Sequence, residues 1–418
     1  MRRNTEDHVM PTASANEHFE SRAQTLLQGV KDSGQWKHLQ TIESAMGPEM
    51  TLAGHGKVLC FCSNNYLGLA NEDRVVQAGH EGLDRHGGGT ASVRFICGTF
   101  SAHHELEQRI ASFFGFEASY TFVSCWTATE ALFPTLCTPA DAIISDELNH
   151  ACIIDAIRLA AGMHKGLRKT VYRHSDMDHL RERLSTLRAD TDFDGVIWVV
   201  TDGVFSMEGD IAKLVEIRAL CDEFGAMLVV DDSHGHGVMG QTGRGTHEHC
   251  GLRSDQVDIL TGTLGKALGG GAGGFVAGSQ TAIDLLVQRA RPTLFSNALP
   301  TTVAASAEMA IKILQEEPER VERLRANVER ARSGIRDAGF EVLESPTAIC
   351  PIIVGDTARA IRLSERLLEK GVFVIGFGYP VVPEGEARLR VQISAAHTDE
   401  HIDRLVEALR ELKAEEDA

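Results

Sequence analysis

The feature that most constrains this chain is a series of short apolar runs, each ending in polar residues and alternating with helical spacing. Ala142-Ile-Ile-Ser-Asp146 is one, and Gly195-Val-Ile-Trp-Val-Val-Thr201, rich in β-branched residues, is a second. Ile211 to Phe224 (IAKLVEIRALCDEF) then sets apolar residues at helical spacing and stops at Gly225; Ala226-Met-Leu-Val-Val-Asp231 follows as a third run. Strands that are apolar along their whole length are covered on both faces, which predicts a parallel sheet packed between helices. Asp258-Ile-Leu-Thr-Gly-Thr263 and Gly274-Phe-Val-Ala-Gly278 extend it. Open α/β sheets bind ligands beyond the carboxyl ends of their strands, so the polar residues ending these runs are where chemistry is expected.

The 418 residues suit two domains, and 43% hydrophobic residues can form a large core. A long helical stretch, Thr301 to Ala338 with a break near Pro318, leads into a smaller block. That block has strand signals at Ile349 to Val354, Val372 to Ile375 and Ala387 to Ile393, and helix signals at Thr357 to Lys370 and Thr398 to Leu412. The expected division is an N-terminal arm (residues 1–70), a large domain (71–300) and a small α+β domain (301–418). Residues 1 to about 20 are polar, lack periodicity and are expected to be weakly ordered.

The formal net charge of −18 opposes nucleic acid and anionic membrane surfaces. No run approaches the roughly 18–20 apolar residues of a membrane helix, and the start carries no secretory signal. Nine scattered cysteines, an odd number without framework spacing, predict free thiols and a cytoplasmic protein.

Three strand ends carry candidate chemistry. Asp231-Asp-Ser-His234 places a carboxylate at the end of a buried strand, where it needs a partner such as a protonated pyridine nitrogen; the alternative is a cap for the next turn. Thr261-Gly-Thr263-Leu-Gly-Lys266 sets a lysine among small residues, where confinement lowers the amine pKa and favours Schiff-base chemistry; the alternative is a solvated loop lysine. In Asp146-Glu-Leu-Asn-His150, the histidine could stack on a ligand, move a proton or be a satisfied core residue.

Taken together, Asp231-x-x-His234 and Thr263-x-x-Lys266 resemble the fold-type I pyridoxal-5′-phosphate (PLP) enzymes, in particular the α-oxoamine synthases. The resemblance runs from about Phe61 to His397. It includes Phe61-Cys-Ser-Asn64-Asn-Tyr-Leu-Gly-Leu69, Ala91-Ser-Val-Arg94-Phe-Ile-Cys-Gly-Thr99 and Thr201-Asp-Gly-Val-Phe-Ser206-Met. It continues through Leu294-Phe-Ser296-Asn297 and Gly376-Phe-Gly-Tyr-Pro-Val-Val-Pro383 to Ala387-Arg-Leu-Arg390-Val-Gln-Ile-Ser-Ala-Ala-His397. The ASVRFICGT and PVVPEG stretches resemble the branch that joins glycine to an acetyl thioester.

The resemblance implies an α/β fold-type I transferase with a large, mostly parallel-sheet domain and a smaller C-terminal one, assembled as a homodimer. It implies that Lys266 forms the Schiff base with PLP and later moves the Cα proton. Asp231 would pair with the pyridinium nitrogen, His234 and Ser206 would approach the phenolic oxygen, and His150 would stack on the ring. Ser124, Cys125 and Trp126 would begin the phosphate turn, Thr263 would complete it, and Ser296 and Asn297 would reach the phosphate of the other subunit. Asn64 and Arg390 would hold the amino acid, Arg390 through its carboxylate, and Val93 and Arg94 would lie by the acyl group. The implied reaction condenses a small amino acid, glycine by first choice, with a short acyl-CoA such as acetyl-CoA. CoA is released and a 2-amino-3-oxo acid formed. An α-oxoamine synthase of a specialised pathway, using another amino acid or acyl thioester, is the alternative, and a PLP enzyme of another reaction type stands behind it.

The chain departs from the branch's pattern at Trp126, Thr127, Thr129 and Glu130, adds His236, and has Gln40 about where the family often has an arginine. These changes bear on the substrate and leave the lysine chemistry intact. Three further signals are set aside. Gly269-Gly-Gly-Ala-Gly-Gly274 matches GxGxxG but precedes a strand-like run, unlike a dinucleotide fingerprint. His247-Glu-His-Cys250 lacks metal-ligand spacing and reads as a solvated loop, so no metal is expected. His103 and His104 are read as the start of a helix, Glu105 to Phe114.

Overall fold

The computed structural model describes residues 14–417 apart from 34 and 380. Contacts divide the chain into a unit up to Ile42 and a unit from Glu43 onward. In the first, Ala15–Asp32 is a helix without a buried residue. The expectation of weak order through residue 20 therefore fails from Ala15 on, while residues 1–13 lie outside the described residues. The signal was the capping box, in which Ser14 accepts from Glu17 and Glu17 reaches back to Ser14.

The second unit opens with Glu49–Leu52 (β1) and Gly56–Cys60 (β2). Its main sheet follows: Ala118–Phe122 (β3), Ala142–Asp146 (β4), Arg168–Tyr172 (β5), Ile197–Asp202 (β6), Ala226–Asp231 (β7), Ile259–Thr263 (β8) and Gly274–Gly278 (β9). The spatial order is β3-β9-β8-β7-β6-β4-β5. Pairings from β5 across to β8 are parallel, while β9 runs antiparallel to both β8 and β3. Side chains of β7 alternate between two cores. Leu228 and Val230 join one with Phe114 and Ile217, and Val229 joins the other with Phe133 and Ile153. Covering both faces makes the run apolar throughout. The helix before β7 starts at Leu214, later than the spacing suggests, because Ile211 pairs with Val204. It ends at Gly225, whose φ of 61° the absent Cβ permits.

Further along lie Ile349–Gly355 (β10), Val372–Phe373 (β11), Ile375–Phe377 (β12) and Ala387–Gln392 (β13). The expected strand Val372 to Ile375 is two strands in two sheets. β11 lies parallel to β2, whereas β12 pairs with β13 in the sheet β10-β13-β12. The helical stretch from Thr301 breaks into Thr301–Glu316 and Glu319–Asp337 around Pro318, which cannot donate within a helix. Among the described residues, no helix is long and apolar enough to cross a membrane.

One ion cluster fastens the loops at the carboxyl ends of β4 and β6. His174 Nδ1 lies 3.0 Å from Asp146 Oδ1, and its Nε2 lies 2.8 Å from Asp210 Oδ2. The ring stands edge-on to Phe205 at 4.4 Å. Burial alone would lower the imidazole pKa, but the hydrogen bonds it donates to Asp146 and Asp210 raise it to about 10. A group whose folded pKa is raised stabilises fully below its unfolded value of 6.5, and that contribution is gone once pH passes the folded value. His174→Asn should therefore cost about 1–2 kcal/mol at pH 7, discounted for partial exposure. The deficit should shrink steadily as pH rises toward 10, as read by denaturant unfolding across that range; a deficit unchanged above pH 10 would refute the imidazolium.

Candidate active site

At the carboxyl ends of β6, β7 and β8, Asp202, Asp231 and Thr261 sit in register side by side. A cavity of about 240 Å³ opens there, lined by Cys125, Trp126, His150, Cys152, Asp202, Val204, Ser206, Asp231, Ser233, His234, Thr263 and Lys266.

Asp231 is buried, yet its carboxyl stays below the usual range. Burial pushes the pKa up; hydrogen bonds from Ser233 and Thr261, then the Lys266 charge, bring it down. The Thr261 hydroxyl donates to Oδ2 at 2.8 Å and the Ser233 N–H to Oδ1 at 3.0 Å. Lys266 follows β8 in a turn closed by Thr263, whose Oγ1 accepts the Gly265 N–H at 3.0 Å. Burial lowers the Lys266 amine pKa, Asp231 partly restores it, and Arg390 lowers it further.

Both cavity histidines are held neutral. Burial takes His234 well below the usual imidazole range, helped by the Lys266 and Arg390 charges. Its Nδ1 lies 2.8 Å from the buried Tyr66 hydroxyl. Burial also lowers His150, against the pull of Asp231. His150 caps the helix Ala151–Met163, its Nδ1 accepting the Cys152 N–H at 3.2 Å, and its ring stands edge-on to Trp126 at 6.3 Å.

The expected residues divide into those the fold brings together and those it does not. Cys125, Trp126, His150, Ser206, Asp231, His234, Thr263 and Lys266 share the cavity. Ser124 caps the adjoining helix Cys125–Leu136, its hydroxyl accepting the Thr127 N–H at 3.1 Å. Asn64 joins the cavity's neighbourhood through Gln392, 2.6 Å from Asn64 Oδ1 and 2.8 Å from the Tyr66 hydroxyl. The Gln392 oxygen belongs toward Arg390, because a guanidinium only donates; Arg390 then donates to it at 3.0 Å. Arg390 Nε is buried without a partner.

Ser296 and Asn297 line a separate cleft with Tyr120 and Thr127, and Asn297 bridges Val93. Arg94 departs most from expectation. Its guanidinium is buried in a two-pronged ion pair with Glu107, at 2.8 and 3.1 Å, under the Tyr120 ring. That charge is committed within the fold, so Arg94 is withdrawn as a substrate contact. His247, read as part of a solvated loop, is instead buried in the short helix Thr246–His249 beside Phe116. The helix expected from Glu105 starts at Ser101, and His103 Nε2 is buried 2.7 Å from the Leu299 carbonyl.

Sequence reasoning missed Cys152, Asp202, Val204 and Ser233 in the lining, and Tyr66 behind it. Asp202 was within reach, since it ends an apolar run as Asp231 does. Tyr66 lies 168 residues from His234, and nothing local announces the pair.

These groups fit PLP. Asp231 is a buried anion suited to a protonated ring nitrogen, Lys266 is a desolvated amine, and the first turn of the helix Cys125–Leu136 presents free N–H groups suited to a phosphate.

Comparison with known proteins agrees. The family profile described as aminotransferase class I and II matches residues 56–409. The chain is 46% identical over 387 residues to the mitochondrial 2-amino-3-ketobutyrate coenzyme A ligase of Homo sapiens, covering 92% of this chain and 90% of the relative. It is 44% identical over 384 residues to the ligase of Escherichia coli (strain K12), covering 91% and 94%. A solved serine palmitoyltransferase from S. paucimobilis with a bound PLP-myriocin aldimine is 30% identical, with a TM-score of 0.86, and the match covers 94% of this chain and 97% of that one. The fold is that of the fold-type I PLP transferases, and PLP is the cofactor.

Lys266→Ala should abolish the visible absorption that develops when PLP is added and lower turnover by orders of magnitude, while the circular dichroism of the fold persists. Borohydride reduction that fixes the cofactor to a different lysine would overturn the assignment.

Proposed function

We propose that this chain, which belongs to the aminotransferase class I and II family, joins glycine to acetyl-CoA, releasing CoA and giving a 2-amino-3-oxo acid. The observation that carries this is the pairing, in one small cavity, of a desolvated lysine with a buried carboxylate held ionised. The likeness to the ligases supports the choice of substrates.

Bound in the cavity, PLP supplies the electron sink that lets an amino acid lose a Cα proton. Asp231 keeps its negative charge on the ring-nitrogen side. Lys266, its pKa lowered by burial, offers an amine able to take and return a proton at Nζ. His234, held by Tyr66, and Ser206 would approach the ring's oxygen. His150, placed beside Trp126, would cover the ring. Thr263 and the turn Ser124–Trp126 would hold the phosphate. Arg390, linked to Asn64 through Gln392, takes the amino acid's carboxylate. Residues 71–300 carry the cofactor and 301–418 contribute Arg390.

The enzyme works as a homodimer. Phe95, Ile96 and Phe295 are 62%, 68% and 72% exposed next to Val93 and Asn297. Such apolar exposure supports a face covered by a second copy, toward whose phosphate Ser296 and Asn297 extend. Nine free thiols support a reducing, cytoplasmic setting.

Thiol release measured with glycine, alanine and serine, each against acetyl-CoA and longer acyl-CoAs, tests the substrates. Glycine with acetyl-CoA should lead, with about 10–100-fold discrimination per misfit methylene. Release from another pair but none from this one would end the glycine reading and leave the family standing.

For the dimer, dilution until monomers predominate should weaken PLP retention in step with dissociation. A fully active monomer would refute it.

A further inference from the structure

The cavity holds a second carboxyl group. Asp202 ends β6 as Asp231 ends β7, and the two are register partners on adjacent strands, which places their Cα atoms about 5 Å apart. Each is 5% exposed, and both line the cavity.

Asp202 is tied to the turn that presents His150. Its Oδ2 accepts the backbone N–H of His150 at 2.8 Å. Its own N–H donates to Asn149 Oδ1 at 2.7 Å, and Asn149 Nδ2 donates to the Val200 carbonyl and the Ser145 hydroxyl, both at 2.9 Å. The turn Glu147–His150 is thereby fastened to the ends of β4 and β6.

The charges facing Asp202 come from three directions: Asp231 on β7, Lys266 after β8 and Asp146 on β4. Two carboxylates on adjacent strand ends in a water-poor cavity, with a single amine acting on both, do not both ionise. Asp231 has the Thr261 hydroxyl, the Ser233 N–H and the Cys125 thiol as donors, and Asp202 has the His150 N–H. The better-solvated group keeps the charge, so the proton falls to Asp202. In accord, burial and then Asp231 push the Asp202 pKa well above the carboxylate range.

We propose that Asp202 is a positioning residue that works as a neutral carboxylic acid, holding His150 against the cavity and leaving Asp231 the sole anion presented to the cofactor ring. The inference rests on the cofactor reading above.

Three measurements on the PLP-loaded enzyme test it, with thermal unfolding recorded for each variant. Asp202→Ala leaves the His150 N–H without its acceptor and should weaken PLP retention about tenfold. Asp202→Asn keeps an oxygen acceptor and the neutral charge. It should leave the midpoint of the pH titration of the bound cofactor's visible band in place, and a wild-type-minus-variant infrared difference spectrum should show the carbonyl stretch of a protonated carboxylic acid. A midpoint moved by about one pH unit or more in Asp202→Asn, or an absent acid band, means that Asp202 carries a charge and overturns the proposal. PLP retention unchanged in Asp202→Ala overturns the positioning role; should that variant not fold, Asp202→Ser, which also lacks the reach to His150, replaces it. A wild-type protein that gains no visible band with PLP would instead sink the cofactor reading itself.

Discussion

The site is organised around one burial: the Asp231 carboxylate, taken out of water at the end of a strand apolar on both faces. An ionised carboxylate in such a place is strongly destabilising unless donors replace its hydration. Thr261 and Ser233 supply them from the next strand and the next turn, and Lys266 supplies the compensating charge. Their arrangement follows from parallel register, which aligns three strand ends so that residues distant in sequence converge on one cavity.

Beneath Asp231 the packing leaves little latitude. Asp232 is fully buried, accepts from the Thr246 N–H at 2.7 Å and its hydroxyl at 2.9 Å, and has its carboxyl pushed up to about 7 by burial. Gly235 is required there for space, since a Cβ on it would stand 2.0 Å from Asp232 Oδ1. His236, the histidine added relative to the resembled pattern, stacks on Phe275 with neither ring nitrogen hydrogen-bonded, Nε2 standing 3.6 Å from Asp232 Oδ2. Burial drives its pKa to about 3, so it packs as a neutral aromatic.

What could be read from the sequence, and what could not, follows the physics of burial. β7 and β8 were legible because strands covered on both faces are uniformly apolar. β5 stands at the sheet edge, where Arg168, Lys169 and Thr170 lie partly in water, so the same rule passed over it. Asp231, His234 and Lys266 announced themselves as polar residues at strand ends, and the cavity gathers them. Arg94 was misread because an arginine's destination depends on its partner: Glu107 lies thirteen positions on, in a separate helix, and no spacing rule links the two. Tyr66 and Gln392 were invisible for the same reason, their neighbours being set by the meeting of two sheets.

The splitting of Val372–Phe377 between two sheets has a consequence for how the chain is made. Strand β2, which leads directly into Asn64 and Tyr66, pairs with β11 through Val372↔Leu59, a separation of 313 residues. Closing so long a loop carries an entropic penalty that only later contacts offset. On the ribosome, β2 emerges early but meets its parallel partner only after three-quarters of the chain has followed it out. The wall carrying Asn64 is therefore finished among the last acts of synthesis, and a nascent chain released before residue 372 has its lysine and carboxylate in hand but lacks the strand that completes the sheet behind the substrate end.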